Sequence, residues 1–320
     1  MKGRDITLLL ILAALWGASF MFIKVILREM TPLTLVGYRI GLAAAGLLVF
    51  YAVVQLRQRV MGRQRTVFPW RRVLVPGLVL GVLNAIIPYL SITWGETYIS
   101  SGEAAILNAT TPLFTTIILL FLARQAGSES TSPSKIAGVV VGFAGVAVLV
   151  SGSAPEAGVA TGNAWLGQGA VLLASASYAV ASLYAKRAFS GLPVVYPALA
   201  QNVAAAVILL PLTLITPPAH ALSPTALGSL LILGLGGTAF AYLLFFALLN
   251  SVGATRTVIV TYLLPGMALL YGAVLLGEPV GPIAVAGLAL VLLGIAVTGG
   301  FFDRGRAFVR RRAAAGARRA

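Results

Sequence analysis

The sequence predicts an all-α membrane protein whose ten transmembrane helices form two inverted five-helix repeats. Of its 320 residues, 59% are hydrophobic and 10% are charged, and the mean hydropathy is +0.97. A soluble domain usually carries about 25% charged residues, so this chain has too little polar surface to cover a water-exposed globule. Ten apolar runs each approach the roughly 20 residues that cross a bilayer, and the second five runs resemble the first five.

Each predicted span is a continuous apolar run rather than an alternating one, which excludes a β-barrel. The first span is too long for a cleaved signal peptide and no Ala-x-Ala site follows it. The fourth and ninth contain Pro112 and Pro265, and each is predicted as one kinked helix because neighbouring helices can satisfy the carbonyl that a proline frees. The ten spans cover residues 6–27, 32–55, 73–93, 98–122, 135–152, 164–185, 194–215, 226–248, 256–276 and 282–301.

The repeat is visible when the second half is aligned with the first, and the offset between aligned residue numbers changes only in loops. At a shift of 162, Trp16 meets Tyr178; at 153, Tyr89 meets Tyr242, and Pro112 meets Pro265. Because each half has an odd number of spans, the two halves enter the bilayer from opposite sides. Inverted repeats of this kind are typical of alternating-access transporters, in which the solute binds between the halves.

The predicted organisation has four parts. Residues 1–152 form the first five-helix repeat, 153–163 an external linker, 164–302 the second five-helix repeat and 303–320 a basic cytoplasmic tail. Most lysines and arginines fall in the loops of one side and in the tail, so the positive-inside rule places both termini in the cytoplasm. The net charge of +15 therefore reflects topology and does not indicate a nucleic-acid partner. The expected partners are membrane lipids and a small-molecule substrate, in a bacterial inner membrane and with the chain as a monomer or homodimer.

Several function classes are excluded by what the sequence lacks. The chain has no cysteine and one histidine, so thiolate catalysis and cysteine-based metal sites are absent, and we expect neither metal nor cofactor. No ATP-binding G-x-x-x-x-G-K-[ST] string is present, so gradients must drive any transport. An intramembrane enzyme would need a nucleophile–base pair inside the spans, which is not seen. A lipid or lipid-linked flippase, or a channel, stays open as an alternative.

Four segments resemble the EamA type of the drug/metabolite transporter superfamily. They are LWGASFMFIK (15–24), TPLTLVGYRI (31–40), NATTPLFTTIILLFLA (108–123) and the long run from Ala239 to Val297. The resemblance implies ten helices, cytoplasmic termini and transport of small organic solutes, often outward. Two features depart from the family pattern: Glu129 is displaced from the Gly-Glu position that Gly277 and Glu278 occupy in the second half, and Glu103 is an unusual acid at the start of the fourth span.

Two cations are candidates for binding an anionic group of the substrate. Arg39 lies about seven residues into the second span, roughly 10 Å from its outer end, where a cation needs a partner or a cavity. Lys24 lies near the outer end of the first span and can snorkel to the headgroups. Arginine offers a bidentate fork to a carboxylate or phosphate. The alternative for Arg39 is a structural pair with one of three acids, Glu29, Glu96 or Glu103.

Aromatic and amide side chains complete the candidate binding site. Trp16, Tyr89, Tyr178 and Tyr242 lie in the middle of spans, where an interfacial belt does not explain them. A central cavity lined by aromatic rings would suit amphipathic solutes such as amino acids, although packing or lipid contact is the alternative for each ring. The predicted substrate-binding set is Trp16, Lys24, Tyr38, Arg39, Asn84, Tyr89, Tyr178, Gln201, Asn202, Tyr242 and Tyr262.

Four residues are candidates for gating or coupling. Glu103 and its aligned partner Arg256 lie near opposite faces of the membrane, and the alternative for Glu103 is a favourable charge in the first turn of a helix. Pro112 and Pro265 can act as hinges, and the alternative is that each proline only bends its helix. Together these features predict a secondary transporter, more specifically an exporter of small polar or amphipathic metabolites such as amino acids, that works by alternating access.

Overall fold

The computed structural model describes residues 2–62, 68–125, 133–152, 163–193, 195–257 and 259–299, and these residues contain helices but no strand. Glu129, the linker over 153–162 and the tail over 303–320 lie outside the described residues. The predicted architecture is confirmed. The helices are α1 (Gly3–Ile26), α2 (Pro32–Val60), α3 (Trp70–Gly95), α4 (Ser101–Asn108 and Thr111–Gln125), α5 (Pro133–Ser151), α6 (Ala164–Ala188), α7 (Val195–Leu214), α8 (Pro224–Val252), α9 (Ile259–Leu276) and α10 (Pro282–Thr298).

Length and composition agree with a membrane location for these helices. Within the described ranges, α1 to α9 are each long and apolar enough to cross a bilayer, and α10 is a shorter apolar helix of 17 residues. The helix α2 continues past its predicted end at residue 55 and finishes at Val60. Arg57 and Arg59 lie in its last turn, where the negative end of the helix dipole favours cations. Prolines at the first helical position begin α2, α8 and α10, because their missing N–H would be unpaired there in any case.

Equivalent helices of the two halves pack against each other in opposite directions. Along α2 and α7, Gly37 faces Thr213 while Gly41 faces Leu210. Along α5 and α10, Gly138 faces Thr298 while Gly145 faces Val291. In both pairs the contacts run up one helix and down the other. The halves are therefore related by a twofold axis lying across the helices, which confirms that the repeat is inverted.

The other contacts between the halves occur in matching pairs. The helix α1 packs against α8 and α9, and its counterpart α6 packs against α3 and α4. In the same way α2 packs against α8, and α7 packs against α3. Each half thus completes the other, so the surface between α2, α3, α7 and α8 is built from both repeats. This surface holds the candidate site.

The helix α4 is interrupted more strongly than the sequence predicted. Instead of one kinked helix, two helical segments are joined by a turn at Ala109 and Thr110. Pro112 lies in the first turn of the second segment, where its missing N–H costs nothing. The hydroxyls of Thr110 and Thr111 donate to the carbonyls of Leu107 and Asn108 at 2.6 and 2.9 Å, and the Ser175 hydroxyl of α6 shares its one proton between the same carbonyls at 3.1 and 3.3 Å. Side chains of α4 itself and of a neighbouring helix therefore satisfy the opened backbone inside the membrane.

Wider, π-helical turns occupy equivalent positions in α3 and α8. They cover Val82–Ile86 in α3 and Ile232–Phe240 in α8. The Ser177 hydroxyl of α6 donates to the carbonyl of Leu83 at 2.6 Å, within the first of these turns. Such turns are found often at functional sites, because the extra residue redirects neighbouring side chains. Here both turns lie at the surface between the halves.

A carboxylate outside the spans predicts one pH effect. Glu29, after α1, accepts hydrogen bonds from the Ser223 N–H (2.8 Å) and hydroxyl (2.5 Å) at the start of α8. The Ser223 hydroxyl and then its N–H lower the pKa of the exposed Glu29 carboxyl below its ordinary value of 4.5. The contact therefore adds stability at pH values above about 4.5, and this is lost as the pH falls through the lowered pKa. We expect the Glu29→Gln variant to melt below the parent at pH 7 and the difference to vanish in acid; a pH-independent difference would contradict this.

Candidate functional site

A buried arginine lies at the surface between the two halves. Arg39 of α2 is 6% exposed. Its Nε donates a hydrogen bond to the hydroxyl of Thr238 on α8 at 3.0 Å, and its guanidinium lies 3.9 Å from the centre of the Tyr89 ring on α3. Within the part of the chain that the structure describes, none of the three acids considered from the sequence pairs with it. The guanidinium is therefore held in place by a hydroxyl and an aromatic face, and its charge is not neutralised by them.

The π-helical turn of α8 explains how Thr238 reaches this arginine. The Thr238 hydroxyl donates to the carbonyl of Leu233, five residues earlier, at 2.9 Å. With its proton used in this way, the hydroxyl oxygen accepts from Arg39. Nothing in the sequence distinguishes Thr238, which follows a run of glycines and leucines, and the predicted set does not contain it. Its aligned partner in the first half is Ala85, within the π-helical turn of α3.

A second polar group crosses the same surface beside the arginine. The Asn84 amide on α3 donates to the Gln201 side chain of α7 at 2.9 Å and to the Tyr242 hydroxyl of α8 at 3.3 Å. Tyr89 is buried and lies against Arg39. Gln201 is buried, and Asn84 and Tyr242 are half-buried. The structure thus brings together five of the residues predicted from the sequence, Arg39, Asn84, Tyr89, Gln201 and Tyr242.

The remaining predicted binding residues surround this group or lie elsewhere. Tyr178 on α6 is half-buried against the apolar core that contains Tyr89. Tyr38 precedes Arg39 and is half-buried in that core. Asn202, next to Gln201, is fully buried, and its amide donates to the carbonyl of Ala198 in its own helix.

The three other predicted binding residues are Trp16, Tyr262 and Lys24. The Trp16 ring stacks on Phe245 of α8, with ring centres 5.7 Å apart. The Tyr262 hydroxyl donates to the Ile295 carbonyl of α10 at 3.5 Å, on the α5–α10 side. Lys24 is half-buried close to the end of α1. Their contribution to binding remains a prediction.

The predicted gating residues have different surroundings. The Glu103 carboxylate accepts a hydrogen bond from the Gln168 amide of α6 at 2.8 Å, which joins α4 to α6. Arg256 is exposed in a short turn before α9. Pro112 starts the second segment of α4, whereas Pro265 lies inside the unbroken stretch Ile259–Tyr271. The two prolines are aligned in sequence but occupy different local structures.

Replacing Thr238 tests whether it positions the arginine. Thr238→Val keeps the shape of the side chain but removes the acceptor for Arg39 Nε. A hydrogen bond to a charged group contributes about 1.5–3 kcal/mol, so we expect solute binding to weaken about 10- to 100-fold. The half-saturation concentration in a transport assay measures this. Thr216→Val is the control, because that exposed hydroxyl bonds only to the carbonyl of Leu212; equal effects of both variants would argue against a positioning role.

Comparison with protein families finds the same family in each half. The model of the EamA-like transporter family matches residues 4–151 and again residues 165–300. The two matches leave only a short gap between them and together cover most of the chain. This agrees with the internal repeat and with the paired helix contacts.

Individual relatives are similar along nearly their whole length. An uncharacterized transporter of Archaeoglobus fulgidus is 28% identical over 88% of this chain and 93% of its own. The uncharacterized inner membrane transporter YedA of Escherichia coli K12 is 29% identical over 88% of this chain and 86% of its own. A probable amino-acid metabolite efflux pump of Salmonella typhimurium is 27% identical over 92% and 94%. One crystal structure at 18% identity has a TM-score of 0.62 and covers 95% of this chain and 99% of that one, which shows the shared fold.

Proposed function

The chain belongs to the EamA-like transporter family and is a multi-pass membrane transporter rather than an enzyme, and we propose that it exports small polar or amphipathic metabolites that carry a carboxylate, such as amino acids. The solute would bind at the surface between the inverted halves and reach either side of the membrane by alternating access. The observation that carries the proposal is the buried, positively charged Arg39 at that surface.

The energetics of Arg39 favour an anionic group in the solute. A cation in the middle of a span costs at least about 2.5–3.5 kcal/mol on insertion scales. Thr238 and Tyr89 offset part of this cost through one hydrogen bond and one aromatic face, and cation–π contacts contribute up to about 2 kcal/mol when desolvated. A carboxylate would complete the charge balance and use the guanidinium fork. The charge of Arg39 would then be balanced when the carrier is loaded and unbalanced when it is empty.

The neighbours of Arg39 suit the rest of an amino-acid-like solute. The rings of Tyr89, Tyr178 and Tyr242 can contact apolar side chains, and their hydroxyls can bond to polar ones. Asn84 and Gln201 add amide donors and acceptors from opposite halves. A site assembled from both halves changes when the halves move against each other, which is what alternating access requires.

The proposed direction and location rest on the charge pattern and on two relatives. The Salmonella relative is named as a probable efflux pump for amino-acid metabolites, and the Escherichia coli relative as an inner membrane transporter. The positive-inside rule favours cytoplasmic termini. We therefore propose outward transport across a bacterial inner membrane, driven by the solute or ion gradients across it.

A counterflow screen in proteoliposomes tests this function. Vesicles are loaded with each of the common amino acids in turn, and uptake of the labelled form is measured with and without an imposed pH gradient. We expect saturable counterflow of at least one amino acid, and none of the matching amino-acid amide, which lacks the carboxylate. Equal counterflow of acid and amide, or counterflow of neither across the whole set, would contradict the proposal.

A further inference from the structure

The Gly-Glu pair at the end of α9 folds back on its own helix. Gly277 has a φ of +70°, a left-handed conformation that glycine adopts without strain. The N–H of Glu278 then donates to the carbonyl of Gly272 at 3.0 Å, which ends the helix. This reversal turns the Glu278 side chain away from the next loop and towards the start of α4.

The Glu278 carboxylate binds the first turn of α4 through both oxygens. Oε1 accepts from the N–H of Ser101 at 3.0 Å, while Oε2 accepts from the Ser101 hydroxyl at 2.7 Å and the Gly102 N–H at 3.3 Å. The first N–H groups of a helix have no partner within it, and the positive end of the helix dipole favours an anion. A residue of the second half therefore satisfies the exposed end of a helix of the first half.

The surrounding residues are fitted closely to this contact. A Cβ added to Gly272 would lie 2.5 Å from Oε2 of Glu278 and 2.9 Å from the hydroxyl of Ser101. A Cβ on Gly102 would lie 2.5 Å from a methyl carbon of Leu269. The end of α9 and the start of α4 thus touch directly, and two glycines make the approach possible.

The two ends of α4 differ in their relation to α9. The segment Ser101–Asn108 packs against α9, α1 and α6, whereas Thr111–Gln125 packs against α5, α6 and α10. Within the described ranges, no comparable packing joins Thr111–Gln125 to α9. Within the described ranges, α4 and α9 therefore pack closely at the Glu278 end.

We propose that Glu278 is a gating residue of the transport cycle, whose contact with the start of α4 keeps this end of the transporter closed and breaks when this end opens. The inference rests on the proposed alternating access: in inverted repeats each end closes and opens in turn, so the contact that closes one end must be released. The contact is also polar and multiple, so its three bonds are made or lost together when α9 moves from α4. A static helix cap would instead persist throughout the cycle.

A distance measurement separates the gate from a static cap. The chain has no cysteine, so spin labels can be placed at Thr97 and Val280 only, two exposed residues of the loops before α4 and after α9. Distances are measured in lipid nanodiscs by double electron–electron resonance, without added solute. In Glu278→Ala we expect the ratio of long to short distances to rise at least about tenfold over the parent, because three hydrogen bonds to a charged group are lost.

A matched pair of glycine variants repeats the test without removing any bonding group. Gly272→Ala should raise the same ratio, because the new methyl group displaces Oε2. Gly281→Ala should leave it unchanged, because a Cβ there meets nothing within 4 Å. If Glu278→Ala does not fold, Ser101→Ala removes the 2.7 Å bond and should show a smaller rise in the same direction.

The outcomes distinguish the gate from the wider proposal. An unchanged distance distribution in Glu278→Ala, with or without a lower melting temperature, would show a static cap and overturn the gating role. Because the measurement uses no solute, that result would leave amino-acid counterflow by the parent protein unaffected. Conversely, a failed counterflow screen would not alter the distances.

Discussion

The Arg39→Ala variant is expected to lose transport while remaining folded in the membrane. The guanidinium is the positive group that both halves hold at their common surface, through Thr238 of one half and Tyr89 of the other. Removing one partner of a buried, hydrogen-bonded charge pair costs about 2–5 kcal/mol of binding free energy. A loss of that size lowers the affinity for a carboxylate at least about 30-fold.

The fold should survive because Arg39→Ala strands no buried group. The Thr238 hydroxyl keeps its own bond to the carbonyl of Leu233, and deleting an intramembrane cation removes an insertion cost. Arg39→Lys should restore only part of the activity, because lysine keeps the charge without the bidentate fork. Arg28→Ala, which removes an exposed arginine at the end of α1, is the control. Counterflow equal to that of the Arg28→Ala protein would show that Arg39 does not bind the solute.

The Gly294→Ala variant is expected to destabilise the whole protein. An added Cβ would lie 2.5 Å from the N and Cα of Gly142 and 2.6 Å from the carbonyl oxygen of Gly138. These are backbone atoms, so α5 and α10 must separate to make room. Overpacking costs about 1–3 kcal/mol, and occasionally more, and we expect the upper end because the loss extends along the helix pair.

The matched control is Gly266→Ala on α9, where a Cβ would meet nothing within 4 Å. We expect its melting temperature to equal or exceed that of the parent, because alanine has a higher helix propensity than glycine. Thermal unfolding in detergent, followed by gel filtration, measures both variants. Similar melting temperatures for Gly294→Ala and the parent would mean that α5 and α10 do not form the close contact described.

The helices and their inversion could be predicted because both depend on local composition and on a repeat visible in the chain. An apolar run of about 20 residues has few alternatives to a membrane helix, and the aligned prolines and aromatic residues indicate how the two halves correspond. The break in α4 is wider than predicted because its carbonyls accept from Thr110, from Thr111 and from Ser175 of another helix. A proline marks the place of such a break, but the sequence does not show which neighbour completes it.

The candidate site was predictable where a residue is unusual for its surroundings. A cation such as Arg39, and amides such as Asn84 and Gln201, are costly in an apolar span, so their presence is a signal. Thr238 gives no such signal, because threonine is common in spans and only the π-helical turn directs it at Arg39. The partner of Glu278 could not be predicted either, because Ser101 lies 177 positions away along the chain.

The most direct test of the account is whether the surface around Arg39 is reachable from both sides of the membrane. Tyr38 is the reporter position, because it adjoins Arg39 and the described residues show no hydrogen bond to its hydroxyl. Tyr38→Cys introduces the only thiol of the chain, and its labelling by a membrane-impermeant thiol reagent is followed in vesicles of either orientation. Two inverted halves that alternate predict labelling from both faces, slowed on both by a transported amino acid. Labelling from one face only, with or without the amino acid, would contradict alternating access at this site.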